Sequence, residues 1–138
     1  MRAADLMSSP VYGITPDASL DEAAGLMMER GFTTLPVITA GGLLLGLVTE
    51  SDLVRALFTP GTRGEPTPDG GAVAGLRPHA VRQVMRGTPV AVRAEMDVSD
   101  VAMAMVDAHE RCLPVVDGGE RVVGMISWRD LLANLLPG

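Results

Sequence analysis

The sequence predicts an α+β fold of two pseudo-symmetric β-α-β-β-α lobes packed through their sheets. Three observations predict it. A shift of 78 positions superimposes the halves without a gap, carrying Met7 onto Met85, Leu35-Pro36-Val37 onto Leu113-Pro114-Val115 and Asp52 onto Asp130. Internal repetition of this kind dictates architecture, and a long unit occurring twice suggests paired lobes rather than a solenoid. Each half shows one helix-period apolar stripe followed by two short apolar runs around paired glycines. At 138 residues the chain suits one compact domain or two small lobes, and either half alone would be near the lower limit for independent folding. The expected boundaries are 1–58 for the first lobe, 59–79 for a linker and 80–138 for the second lobe.

The elements follow in chain order. A short strand is expected near Val11–Ile14, and its counterpart near Val90–Val92. Ser19-Leu20-Asp21-Glu22 has the form of a capping box, a hydroxyl followed three residues later by an acid. Leu20, Ala23, Ala24, Met27 and Met28 then keep the spacing of a helix with one buried stripe, and Gly31 supplies the stop. In the second half Asp97 is the cap, and Val98, Val101, Ala102, Met105 and Val106 form the stripe. The runs LPVIT and LLLGLV, and again LPVVD and VVGMI, flank Gly41-Gly42 and Gly118-Gly119, which predicts a β-hairpin in each half. Second helices are expected from about Glu50 to Phe58 and from about Trp128 to Leu136. Between the halves, Pro60, Gly61, Gly64, Pro66, Pro68, Gly70 and Gly71 read as a solvated linker.

Composition narrows the function. Apolar residues make up 47% and aromatics only 3%, so stacking platforms for single-stranded nucleic acid are largely missing. A net charge of −6 disfavours sequence-independent binding to nucleic acid or to an anionic membrane. The single cysteine, Cys112, has no partner for an internal disulfide, which fits a reducing cytoplasm. The first residues, MRAADLMSSP, lack a signal-peptide core, and GGLLLGLV is too short to span a bilayer. A cytoplasmic protein without nucleic-acid or membrane partners is the expectation.

The chemistry lies in a phrase written twice, GLVTESD at 46–52 and GMISWRD at 124–130. One reading is a helix start: Thr49 or Ser127 caps the first turn, and Asp52 or Asp130 favours the positive end of the helix dipole. The other uses the same geometry for a ligand. Glycine permits close approach, a helix start and hydroxyl suit a phosphate, and an aspartate three residues on suits vicinal ribose hydroxyls.

The two segments, DLMSSPVYGITPDASLDEAAGLMMERGFTTLPV with GLVTESDLV and QVMRGTPVAVRAEMDVSDVAMAMVDAHERCLPVV with GMISWRDLL, resemble a tandem pair of cystathionine-β-synthase (CBS) domains, a Bateman module. The resemblance covers nearly everything except the linker. It implies binding of an adenosine ligand (AMP, ADP, ATP or S-adenosylmethionine) and no catalytic cofactor. It assigns the ribose to Asp52 and Asp130, and phosphate or ribose contacts to the hydroxyls of Thr49 and Ser127. Ser51 and Arg129 fall inside the same motif. The adenine would be lined by Tyr12, Gly13, Ile14, Thr33 and Thr34 in one half, and by Val90, Ala91, Val92, Arg111 and Cys112 in the other. The family further implies a homodimer regulating an unidentified effector protein. The alternative is a scaffold that binds no ligand and acts through dimerisation.

An enzyme is the weaker reading. His79 and His109 form no metal-ligand or Cys–His spacing, and no glycine-flanked nucleophile elbow occurs. Comparing the repeats also suggests unequal sites. Ser8, Thr15, Thr33 and Ser51 in the first half become Arg86, Arg93, Arg111 and Arg129 in the second. Arg86 and Arg93 serve equally well to solubilise one face. Arg111 and Arg129 fall at positions that line the cleft in the family resembled, so the second site is expected to prefer the more phosphorylated ligand. The first, with hydroxyls only, is expected to accept an adenosine-like or weakly charged ligand or to stay empty. Leu53, Val54 and Leu57, with Leu131, Leu132, Leu135 and Leu136, spread apolar residues around each second helix, which suggests an interface.

Overall fold

The computed structural model describes residues 1–9, 11–58, 78–87 and 89–135. The predicted linker lies outside them except for Pro78 and His79, as does Leu136. The fold is α+β, with two three-stranded sheets. In chain order the elements are α1 (Ala3–Leu6), α2 (Leu20–Arg30), β1 (Thr34–Ile38), β2 (Leu44–Thr49), α3 (Glu50–Phe58), a single 3-10 turn (Val81–Gln83), β3 (Arg86–Gly87), β4 (Val92–Arg93), α4 (Val98–Ala108), β5 (Cys112–Val116), β6 (Val122–Ser127) and α5 (Trp128–Leu135). The sheet orders are β1-β2-β3 and β4-β5-β6.

The chain divides into two compact units that exchange segments of the repeat. One comprises Gly13–Val37 and Gly46–Gly87, and the other Met1–Tyr12, Ile38–Leu45 and Thr88–Gly138. Thus residues before the second repeat's first strand complete the unit built on the first repeat. There Leu20 N donates to His79 O (3.0 Å) and Val81 N to Ala18 O (2.9 Å). The opening of the chain does the same in the other unit, with Val98 N donating to Met1 O (2.9 Å) and Ala3 N to Met96 O (2.9 Å). Each pair of bonds is the other shifted by one repeat.

Each unit has its own core. Ile14, Ala23, Met27, Leu35, Val37, Val48, Leu53 and Val81 pack together in one, and Ala3, Val92, Val101, Met105, Leu113, Val115, Ile126 and Leu131 in the other. The helix stripes are narrower than the sequence suggests. Leu20, Ala23 and Met27 are buried, but Met28 is 82% exposed; in α4, Val101 and Met105 are buried and Val106 is exposed. A short helix packed on one side buries only its central rows, so the flanking position turns to solvent.

Ser19 caps α2 by accepting from Glu22 N (3.0 Å), and Asp97 caps α4 by accepting from Ser99 N (3.1 Å) and Ser99 Oγ (2.6 Å). The Ser99 bonds hold the Asp97 carboxyl below the ordinary carboxylate range. This support is complete above the ordinary carboxyl pKa and is lost as pH falls through the depressed folded value. The strand expected at Val11–Ile14 is reduced to one parallel bridge between Ile14 and Val37, while the one expected at Val90–Val92 becomes β4. The sequence reading also omits α1, the 3-10 turn and β3, which are too short to show a period.

Gly31 ends α2 in the left-handed region (φ 71°), as expected, and the equivalent position ending α4 is His109 (φ 55°). The turn between β5 and β6 likewise places positive φ at Glu120 (65°), where the first hairpin has Gly42 (89°), and not at Gly118 or Gly119. A side chain in this region is strained by contact of Cβ with the backbone. His109→Gly is therefore expected to stabilise the protein by about 0.5–1 kcal/mol, the left-handed penalty of about 1–2 kcal/mol less the added unfolded-chain entropy of glycine, about 0.4–1 kcal/mol, seen as a higher urea midpoint. A lower midpoint would show that the imidazole makes a compensating contact.

Candidate functional site

The repeated phrase folds the same way twice, at the junction of β2 with α3 and of β6 with α5. Thr49 N and Thr49 Oγ1 both donate to Asp52 Oδ2 (2.9 Å each), and Asp52 N donates back to Thr49 Oγ1 (3.2 Å). In the other unit, Ser127 N and Ser127 Oγ donate to Asp130 Oδ2 (2.8 and 3.0 Å), and Asp130 N donates to Ser127 Oγ (3.2 Å). This is a reciprocal capping box, so the helix-start reading is realised in full. It engages one carboxylate oxygen of each aspartate and leaves the other for different partners.

The remaining predicted residues gather by repeat. Glu50 N donates to Thr33 O (3.0 Å), and Trp128 N donates to Arg111 O (2.9 Å). These bonds fix the residues before β1 and β5 against the two motifs. Cys112 is paired with Ser127 across β5 and β6. Ile14 N donates to Pro36 O (3.0 Å), and Val92 pairs with Val115. One unit therefore carries Gly13, Ile14, Thr33, Thr34, Thr49, Ser51 and Asp52, and the other carries Ala91, Val92, Arg111, Cys112, Ser127, Arg129 and Asp130. Ile14 and Val92 are core residues, so their side chains serve packing. Thr33, Ser51, Arg111 and Arg129 are exposed, whereas Gly13, Thr34, Ala91 and Cys112 are half-buried.

Burial, then the charges of Asp130 and Glu110, push the Cys112 thiol up to about 12. At pH 8 only about one thiol in ten thousand would be ionised. An aromatic disulfide reagent at that pH is expected to leave Cys112 unmodified until the protein unfolds. Rapid labelling under native conditions would show that the thiol is open and ionisable.

The motif glycines have a role that the sequence reading assigned to a ligand. A Cβ on Gly46 would lie 2.6 Å from Arg86 O and 3.1 Å from Met85 Sδ; one on Gly124 would lie 2.5 Å from Met7 Sδ. What approaches these glycines is the exchanged segment of the chain itself.

That segment also brings in a residue that sequence comparison missed at this place. Asp52 is 5% exposed, and its Oδ1 lies 3.5 Å from Arg86 Nε and 3.7 Å from Arg55. The first motif is thus not a site of hydroxyls alone. Arg93, by contrast, reaches Glu120 (3.3 Å) and Asp117 O (3.3 Å) at the β5–β6 turn. Among the described residues no ion pair reaches Asp130, no acid, histidine or cysteine cluster could hold a metal, and no helix is long and apolar enough to cross a membrane.

Comparison with known proteins places these features in a family. The CBS domain profile matches residues 3–59 and again 81–137. The chain belongs to the CBS-domain family and is a tandem CBS pair. It is 31% identical over 131 residues to a CBS domain-containing protein of Dictyostelium discoideum, covering 95% of this chain and 88% of that one. It also resembles part of a homoserine O-acetyltransferase from Methanohalobium evestigatum, at 27% identity, but spans only 22% of that protein. Among solved structures, CBSX2 in complex with AMP superposes with a TM-score of 0.82 at 24% identity, over 96% of this chain and 94% of that one. The CBS pair of MJ0100, in complex with 5′-methylthioadenosine and S-adenosyl-L-methionine, gives 0.81 at 22% identity over 99% and 100%. At these identities the structural likeness concerns the fold.

Proposed function

We propose that this CBS pair is a non-catalytic regulatory module that senses an adenosine-type ligand, AMP, ADP or ATP in the first instance and S-adenosylmethionine as the alternative. The observation that carries the reading is the pair of aspartates, Asp52 and Asp130, each with only one carboxylate oxygen committed to its helix cap. An acid so held beside a strand end is pre-positioned to accept ribose hydroxyls, with its rotamer already fixed. The ligands bound by CBSX2 and by the MJ0100 pair support the choice of ligand class. Val90, Ala91 and Val92, with Tyr12, Gly13 and Ile14, would border the adenine, together with Thr33, Thr34, Arg111 and Cys112. Ser51 and Arg129 would face the phosphate. Equilibrium dialysis against AMP, ADP, ATP and S-adenosylmethionine tests this. Saturable uptake of at least one of them is expected, and no uptake of any would reject the reading.

We infer further that the chain works in the cytoplasm as a homodimer acting on an effector protein. Phe58 of α3 is 60% exposed and Leu132 of α5 is 59% exposed, with Val54 and Trp128 also turned to solvent. Leu53, Ala56 and Leu131, by contrast, are buried. Exposed apolar residues on the two equivalent helices favour an interface over a solvated surface. Light scattering is expected to give twice the 14.4 kDa chain mass; the chain mass itself at micromolar concentration would exclude the dimer.

A further inference from the structure

We propose that Arg86 is a built-in competitor at the first motif that makes ligand binding there depend on phosphate. This deepens the proposed function and rests on Asp52 as the ribose acceptor. Oδ2 of Asp52 is committed to Thr49, so a ribose must be received at Oδ1. That oxygen faces Arg86 Nε at 3.5 Å and Arg55 at 3.7 Å. The carboxylate is almost wholly buried, while the Arg86 and Arg55 side chains are 46% and 69% exposed, so the guanidinium side of each pair is the one that can yield.

The register of β3 holds Arg86 in place. Leu47 pairs with Arg86 and Gly46 with Gly87, which sets its backbone beside the strand leading into the motif. The repeat provides the control. In the other unit the equivalent bridge joins Ser8 to Met125. Ser8 stands where Arg86 would be, and Ala133 where Arg55 would be. Among the described residues the two motifs therefore share a cap and differ in whether an ion pair engages the acceptor oxygen.

A neutral nucleoside at the first motif has to displace a guanidinium from a buried carboxylate and gives that cation nothing in return. A nucleotide displaces it too, but its phosphate offers the guanidinium a bidentate anion. Arg86 should thus oppose adenosine and favour AMP. A purely structural arginine would move both ligands in the same direction.

The test is calorimetric titration with adenosine and with AMP in the Asp130→Asn chain, where the second motif loses its charged acceptor and binds more weakly. Arg86→Gln is expected to tighten adenosine several-fold and to weaken AMP by about tenfold, the scale of one charge-assisted contact. Arg86→Lys, which keeps the charge if the glutamine chain fails to fold, is expected to lie between the wild-type and glutamine values. Opposite shifts for the two ligands support the proposal. Shifts in the same direction, or none, overturn it while leaving Asp52 as a ligand site. Absence of binding by either ligand in every Arg86 form overturns it together with the site.

Discussion

Gly46→Ala will destabilise the protein by about 1–3 kcal/mol, the range for forcing a methyl into a packed interior, and Gly124→Ala will cost less. The added Cβ at Gly46 meets a backbone oxygen, Arg86 O, at 2.6 Å. A backbone atom paired in a sheet yields only if the strand moves, and β3 is only two residues long. The unit would lose the register that joins Gly46 to Gly87, and with it the seating of Val81 in the core. At Gly124 the obstructing atoms belong to the Met7 side chain, with Sδ at 2.5 Å, Cγ at 2.7 Å and Cβ at 3.0 Å, so a change of rotamer relieves the first two contacts and leaves only the Cβ contact. A thioether chain can change rotamer. Urea unfolding of both variants checks this, and equal midpoints would show that the exchanged segments are not packed as described.

Replacing both Asp52 and Asp130 with asparagine will weaken adenine-nucleotide binding by about tenfold or more and leave the fold intact. Hydrogen bonds to a charged acceptor contribute about 1.5–3 kcal/mol each, and a neutral amide loses that charge. The cap itself survives, because an amide oxygen can still accept from Thr49 or Ser127. The loss of favourable interaction with the helix dipole is only about 0.3–1 kcal/mol per site. The stability cost will be greater at Asp52, where the substitution removes the charged carboxylate that lies 3.5 Å from Arg86 and 3.7 Å from Arg55. Calorimetric titration paired with urea unfolding separates the two effects. Unchanged affinity in the double variant would reduce both aspartates to helix caps.

The fold was legible because its evidence is local and repeated. The caps at Ser19 and Asp97, the stop at Gly31 and the paired apolar runs each act within a few residues. The equivalence of the two motifs was legible for the same reason: Thr49 with Asp52 and Ser127 with Asp130 are three-residue contacts. The exchange of segments was not. Nothing local in Arg86-Gly87 says that it will pair with Gly46-Leu47 rather than stay with its own repeat. That one hidden fact changes the reading of the site, because a shift by 78 places Arg86 in the second half by sequence, while β3 carries it to the first motif. The expectation of a first site with hydroxyls only is corrected by this contact. The strain at His109 and Glu120 was equally hidden, since neither residue type announces a positive φ.

The most direct measurement is the thermal midpoint of the wild-type chain and of the Asp52→Asn, Asp130→Asn double variant, each with and without AMP or ATP. A ligand that binds only the folded state at a hundred times its Kd adds about 2.7 kcal/mol, which raises the midpoint of a domain this size by several degrees, on the order of 5 °C or more. That rise is expected in the wild type and should fall to about half or less in the double variant at the same ligand concentration, because a tenfold higher Kd leaves only about 1.4 kcal/mol. Superimposable wild-type melts with and without millimolar nucleotide, or an equal rise in both proteins, would contradict a nucleotide site built on the doubled motif.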